Sequence, residues 1–485
     1  MKLPDILYTI AATLQSQGAN AIVVGGSVRD SFLGLPAKDY DVEVYGLTSM
    51  EHLEVLLAPY GSVNLVGKSF GVLKLSYEGV EYDFSFPRTE SKTGRGHNDF
   101  AITVDGALTF KRAAKRRDFT INALGYDVKK GIFLDPFEGI KDLEAKQLRH
   151  IDDATFIEDP LRVYRAVQFC ARFGFSLSSK TKQLCRKMVE EKMLEALPKE
   201  RVYAEWKKLL LQSPHPSVGF ELMREVGIVA HYFPPLNAII GVPQPPQWHP
   251  EGDVWVHTMM ALDIMASIVR SKEAETWSEK EKLKFLFAIL CHDLGKATHT
   301  TIGGIAYATW LLRRTSSSES AFTPLPIHAL GHEEAGVEPT RTLLYALTDE
   351  HDFITTVLPL VAHHLKPSQL YHGGAKDAAI RRLASKVNLE ALVVVAKADF
   401  LGRTTEEALH GVFPAGVWLL QKAEALQVRK SPIKPLLQGR DLIALGLSPS
   451  PRFKEILESV YLLQEEGSIE TKEDAMRYVE LHFSN

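Results

Sequence analysis

The spacing of apolar and polar residues changes character along the chain, and the change predicts its organisation. Residues 5–17 repeat apolar positions at helical spacing. Ala21-Ile22-Val23-Val24 is a continuous apolar run of strand length that stops at Gly25-Gly26. A short helix is expected over 27–33, then a second strand carrying Asp39, Asp41 and Val42 to Tyr45. Residues 71–77 and 80–86 alternate as strands do and are rich in β-branched and aromatic side chains. Residues 1–127 therefore read as α/β. From residue 155 onward the period is helical. Pro160 suits a first helical turn, and Leu161, Tyr164, Ala166, Val167 and Ala171 continue a helical face. Pro198 interrupts before a helix expected over 200–211. Prolines clustered between 234 and 250 read as a linker. A helical region holding most of the histidines follows, with a Ser/Thr-rich surface loop expected over 315–323. No internal repeat or low-complexity tract is evident.

Composition changes this picture little. The 485 residues suggest about three domains. The apolar fraction, 45%, is that of a globular protein. No apolar run reaches the roughly 18 residues of a membrane span, and no basic stretch followed by an apolar core marks a secretory signal. Cys170, Cys185 and Cys291 have no metal-like spacing and fit packing roles in a reduced cytoplasm. The net charge of −4 gives no general attraction for nucleic acid. Residues 101–212 differ, with 22 Lys+Arg against 16 Asp+Glu, a balance of +6. The run Lys111-Arg112-Ala113-Ala114-Lys115-Arg116-Arg117 is either a solvated face or a contact for phosphates or an RNA backbone.

Strand side chains two apart share a face, so Asp39 and Asp41 stand side by side and repel unless a cation neutralises them. Such a pair can hold Mg²⁺ on a triphosphate. Gly25 and Gly26 let backbone N–H groups approach phosphate oxygens at a helix start. A bare Asp-x-Asp reads as a solvated pair; the preceding Gly-Gly favours the metal reading. Glu43 shares the strand parity and reads as structural.

Five segments in order carry a resemblance. Gly25-Gly26-Ser27-Val28-Arg29-Asp30 with Asp39-Tyr40-Asp41 resembles the head of the class II tRNA nucleotidyltransferases, which include CCA-adding enzymes and bacterial poly(A) polymerases. Residues 116–123, 134–143, 158–166 and 200–206 resemble the family's later motifs. The match covers about the first 210 residues. It implies an α+β fold: a polymerase-beta-like nucleotidyltransferase head over 1–127 and an all-helical neck and body over 128–233. It implies that Gly26 and Arg29 touch the triphosphate, with Arg88 and Arg117 as further nucleotide contacts. Arg29 could alternatively pair with Asp30. Asp83 is the candidate third catalytic carboxylate beside Asp39 and Asp41, or else a rim residue. Asp118 and Asn122, four apart on an expected helix over 119–124, would meet the ribose, with an N-cap role for Asp118 as the alternative.

The resemblance makes Asp159 and Arg162 the base readers. A carboxylate accepts from the exocyclic amino group of cytosine or adenine, while a guanidinium donates to ring acceptors. Uracil and guanine present a carbonyl to the Asp. The plain alternative is that Asp159 and Pro160 are an N-cap and first turn. Arg165 is expected to support Asp159 or the phosphates.

Further along, His257, His292-Asp293 and Asp399 resemble the HD phosphohydrolase superfamily. Imidazoles and carboxylates from separate helices can bind a divalent metal and activate water. His328, His332 and His364 are candidates for a second metal. The resemblance implies an all-helical HD domain over 247–410, followed by a C-terminal helical region over 411–485. The implied cofactors are Mg²⁺ in the head and Ni²⁺, Mn²⁺ or Fe²⁺ in the HD domain.

The leading reading is a cytoplasmic enzyme that adds C, C and A to tRNA 3′ ends from CTP and ATP, with an accessory phosphatase or 2′,3′-cyclic phosphodiesterase. Its partners are tRNA and the two nucleotides, with no membrane. An A-adding or poly(A)-adding enzyme shares nearly all the head motifs, and specificity also depends on a loop expected within 89–114. A phosphohydrolase with an RNA-binding head is the third reading. The complete set of Gly-Gly, Asp39, Asp41 and Arg162 argues against it.

Overall fold

The computed structural model describes residues 1–37, 39–66, 71–92, 100–314 and 325–483. The loop expected over 315–323 lies outside the described residues. The chain forms two compact units: Met1–Ser213 with Val218–His231, and Pro214–Ser217 with Tyr232–Asn485.

The first unit is built on a mixed sheet. Its strands are β1 (Asn20–Val24), β2 (Asp39–Tyr45), β3 (Ser62–Val66), β4 (Val72–Tyr77) and β5 (Val80–Ser85), then, after a separate hairpin of β6 (Arg88–Lys92) and β7 (Phe100–Val104), β8 (Gly125–Asp127) and β9 (Ile132–Leu134). The order is β3-β4-β5-β2-β1-β8-β9. Among the described strands of this sheet only β2 and β5 run parallel, and that pairing sets Asp41 beside Asp83. A separate parallel pair, Gln147–Leu148 with Ser176–Leu177, interrupts the body expected to be all-helical. The central strand β1 is buried from Ala21 to Val24, as its unbroken apolar run requires. The helix Asp5–Ser16 buries Leu7, Ile10 and Leu14.

Two sequence expectations shift here. The sheet extends through β9, past the expected head boundary at 127. Residues 119–124 form only a 3₁₀ turn, Thr120–Asn122, because the backbone before it pairs elsewhere: Phe119 bridges to His150, and Thr120 N donates to Arg149 O at 3.0 Å. Beyond the sheet, the helices Leu161–Phe173 and Lys199–Gln212 pack on each other.

The second unit is centred on helices Val254–Ile268, Glu279–Cys291, His351–His363 and Leu389–Leu401, which pack together along largely buried faces. A small three-stranded sheet of Thr301–Ile302, Ile305–Ala306 and Ile327–His328 adds to the expected all-helical plan. The helices Gly439–Ala444, Arg452–Glu466 and Lys472–Phe483 share a small core around Leu442, Ile456 and Val460. The proline-rich segment is not a free linker. Leu236, Ile239 and Val242 are buried, and Val242 O accepts from Val254 N at 2.9 Å. Its prolines are compatible with turns that pack against the unit. All three cysteines are buried and unbridged.

Candidate functional site

In the first unit, a cavity of about 400 Å³ opens where β1 ends. Gly25 turns with φ +75°, a conformation open to glycine, and a Cβ there would crowd Arg117 Nη1. The cavity gathers Gly25, Gly26, Arg29, Asp41, Arg117, Asp118, Asn122, Asp159, Arg162 and Arg165 from segments far apart in sequence. Asp39, Asp83 and Arg88 lie outside this lining; Asp39 and Asp83 flank Asp41 along β2 and across the strand pair.

Three carboxylates on neighbouring strand positions demand positive charge. Desolvation pushes the Asp41 carboxyl up; Arg117 opposes this, while Asp39, Asp83 and Glu43 push it further up. One Asp83 oxygen, Oδ1, is shielded from solvent and makes no hydrogen bond among the described residues, with Lys74 Nζ 3.6 Å away. Asp41 and Asp83, paired across the two strands with Asp39 on the same strand face as Asp41, are oxygen donors of the kind a divalent cation takes, though Asp83 is ion-paired with Lys74 and the three are not drawn together around one point.

A continuous polar chain crosses the cavity floor. Arg29 donates to Asp30 at 2.8 Å and to Asn122 Oδ1 at 2.7 Å, and its guanidinium lies over the Phe169 and Phe173 rings. Asn122 Nδ2 donates to Asp118 Oδ1 at 2.9 Å, and Arg165 grips Asp118 Oδ2 at 2.7 and 2.8 Å. Burial pushes the Asp118 carboxyl up, but Arg165, the Asn122 amide and Arg162 outweigh it and hold the carboxyl below its ordinary range. Arg29 therefore makes both the Asp30 pair and a contact within the cavity.

Of the two roles expected for Arg165, support of Asp159 or of the phosphates, the first does not form. One turn past Arg162, Arg165 reaches Asp118, and Asp159 instead accepts from Arg201 at 3.1 Å. Asp159 also accepts from Leu161 N at 3.1 Å, but it is not the N-cap of the next helix, a place taken by Pro160. Arg162 donates to the carbonyls of Thr155 at 2.7 Å and Arg116 at 2.8 Å, which fixes its guanidinium at the cavity wall.

The second unit holds a buried cluster of imidazoles and carboxylates. His257 Nε2 lies 3.1 Å from Asp399 Oδ1, and His292 Nε2 lies 3.2 Å from Asp293 Oδ2. On the other side of Asp293, Oδ1 faces His332 Nε2 at 3.1 Å and His364 Nε2 at 3.7 Å. His328 is not part of it. Strand pairing with Thr301 leaves its side chain exposed.

The imidazoles are aimed by their outer nitrogens. Nδ1 of His292, His332 and His364 each bonds a backbone carbonyl, of Ile289, Ala329 and Val361 respectively. A carbonyl only accepts, so Nδ1 carries the proton and each Nε2 turns a lone pair inward. None of those three Nε2 atoms makes a hydrogen bond among the described residues. Burial pushes His364 down to about 3, which keeps that ring neutral. Burial lowers His292 too, but Asp293 and Asp399 override it and raise it, a demand for positive charge that a cation would also meet. Buried, unsatisfied nitrogen and oxygen donors of this kind suit a divalent transition metal. Three sets of donors close enough to share an ion include His257-His292-Asp399 and His292-Asp293-His364.

Several residues here escaped the sequence reading. Glu251 Oε1 accepts from His257 Nδ1 at 2.8 Å and from His249 Nδ1 at 2.9 Å, and its other oxygen accepts from Thr404 N at 3.1 Å. Lys296 bridges Asp293 and Gln244, both at 2.7 Å. Arg403 clamps Asp399 at 3.1 Å. The spacing of Lys296 and Arg403, three and four residues past a ligand on a helical path, is the signal that could have found them. Gly295 allows this packing, since a Cβ there would overlap the carbonyl oxygen of His332.

Fold and clusters together define a two-part enzyme class, a nucleotidyltransferase head combined with an HD-type metal domain. Residues 21–149 match the family described as "Poly A polymerase head domain". Residues 174–240 match "Probable RNA and SrmB- binding site of polymerase A", and residues 254–403 match "HD domain". The Multifunctional CCA protein of Methylobacillus flagellatus is 35% identical over 410 residues, 82% of this chain and 88% of that one. The chain belongs to the multifunctional CCA protein family. In fold it is similar to the Bacillus stearothermophilus CCA-adding enzyme in complex with CTP, with TM-score 0.63, 20% identity and coverage of 99% and 98% of the two chains. It is similar also to the Thermotoga maritima CCA-adding enzyme complexed with tRNA, with TM-score 0.59, 18% identity and coverage of 99% and 96%. Among the described residues, no helix is long and apolar enough to cross a membrane.

Proposed function

We propose that the chain is a template-independent tRNA nucleotidyltransferase that adds C, C and A to tRNA 3′ ends from CTP and ATP. The observation that carries the reading is the single cavity in which Gly25-Gly26 and Asp41 face Asp159 and Arg162. Asp39, Asp41 and Asp83 would hold Mg²⁺, which supplies charge neutralisation at the pyrophosphate and a lowered pKa at the attacking 3′-hydroxyl. The N–H groups of the glycine turn and the Arg29 and Arg117 guanidiniums receive the phosphates. Asp118 and Asn122, locked to each other and to Arg165 and Arg29, present a fixed polar floor to the ribose. Asp159 accepts from the amino group shared by cytosine and adenine, and Arg162, seated by two carbonyls, donates to the ring. The protein thus takes the place of a template. The multifunctional CCA relatives and this chain's own match to the HD domain favour this reading over a poly(A) polymerase.

The second unit is read as a metal-dependent phosphohydrolase, acting as a phosphatase or 2′,3′-cyclic phosphodiesterase in the cytoplasm. His257, His292, Asp293 and Asp399 would hold one Ni²⁺, Mn²⁺ or Fe²⁺, and His332 and His364 with Asp293 a second. The test of the main reading uses tRNA lacking its 3′ end, radiolabelled ATP, and CTP. The wild-type protein should extend the tRNA, and a folded Asp41→Ala protein should not. Substantial extension by Asp41→Ala would reject the assignment.

A further inference from the structure

Strand β2 carries a third acidic residue on the face of Asp39 and Asp41. Glu43 is 1% exposed, between the buried apolar residues Val42 and Val44. Burying a carboxylate is costly, and a branched apolar residue of β propensity would fill a strand position more cheaply. The partners explain its presence. Glu43 Oε1 accepts from Arg117 Nη2 at 2.9 Å and from Arg116 Nη2 at 3.2 Å, and Glu43 Oε2 accepts from the Tyr45 hydroxyl at 2.8 Å. One carboxylate thus fixes two consecutive arginines, both of which line the nucleotide cavity.

Each arginine passes the constraint on. Arg117 Nη1 reaches the carbonyl of Asn122 at 3.4 Å and sits 2.9 Å from the point where a Gly25 Cβ would stand. That places it against the glycine turn proposed to take the phosphates. The backbone carbonyl of Arg116 accepts from Arg162 at 2.8 Å, which seats the proposed base reader. Glu43 is therefore the point where the metal-binding strand, the phosphate turn and the base-reading arginine are mechanically joined.

We propose that Glu43 is a positioning residue for nucleotide addition, holding Arg116 and Arg117 so that the triphosphate and the base are registered together. The proposal rests on the nucleotide-addition reading above. It differs from a purely structural role because it predicts an effect on substrate affinity and base choice at a constant fold. The experiment measures kcat, KM for CTP and ATP, and UTP misincorporation on tRNA lacking its 3′ end, for wild type and Glu43→Gln, with melting temperature recorded for both. Gln keeps the shape and an acceptor but loses the charge that grips both guanidiniums. Losing charged hydrogen bonds of this kind should raise KM about ten- to a hundred-fold. UTP misincorporation should rise with it, and kcat should change less than about threefold.

A folded Glu43→Gln protein with wild-type KM and selectivity, altered only in melting temperature, would overturn the proposal. So would a fall in kcat at unchanged KM, which would place Glu43 in the chemical step. If Glu43→Gln does not fold, Tyr45→Phe removes only the hydroxyl that braces the carboxylate. It should raise KM in the same direction, and an unchanged KM there would overturn the proposal equally. Failure of wild type to extend the tRNA would instead overturn the nucleotide-addition reading itself.

Discussion

Asp118 is buried at the head cavity and remains ionised because Arg165, Asn122 and Arg162 favour the charged form by more than burial disfavours it. Its folded pKa is therefore depressed, so its stabilisation is present above the unfolded value of about 3.9 and is lost as pH falls through the folded one. Asp118→Asn should lower stability near pH 7 by about 1.5–3 kcal/mol, the worth of charged hydrogen bonds. It should also flatten the loss of stability on acidification. Melting temperatures between pH 3 and 7 test this; parallel curves for the two proteins would contradict it. At this scale the identities were legible but the partners were not. The motifs name Asp118, Asp159, Arg162 and Arg165, and the place of Arg165 on its helix leaves Asp159 or the phosphates as its partner. The true partner of Asp159, Arg201, comes from a helix about forty residues away, a separation that local spacing cannot encode.

Elements explain how the second cluster is aimed. His292 and His364 each follow directly on the last residue of a helix, and each donates Nδ1–H to a carbonyl three residues back, so helix geometry itself turns Nε2 inward. His257 lies inside a helix, where the carbonyls are already engaged, and it uses Glu251 instead. Glu251→Gln should leave the fold intact and weaken Mn²⁺ binding about 10- to 100-fold, since an outer-shell carboxylate fixes both ring orientation and basicity. Calorimetric titration with Mn²⁺ checks this, and an unchanged affinity would show that His257 needs no such support. Elements with strong periodicity were legible from the chain: β1, β2, β4, β5 and the helix Asp5–Ser16 form close to their expected places. The proline-rich stretch packs where a linker is expected, because proline count signals turns but not whether Leu236, Ile239 and Val242 between them find a core.

Across the whole molecule, two motif sets map onto two compact units. Five short motifs in order are enough to indicate the first unit, because residues they carry, from Gly25 to Arg201, line one cavity. Base choice is less legible, since on the proposed reading one Asp-Arg pair serves both cytosine and adenine and no difference in residue identity marks the choice. On the proposed reading this one cavity acts as the template, and addition stops after the final A. The most direct test is to sequence the 3′ ends produced when wild-type protein is given tRNA lacking its 3′ end and all four nucleoside triphosphates. The ends should read C, C and A and nothing longer. Runs of A, a single A, or ends with U or G incorporated would contradict that reading.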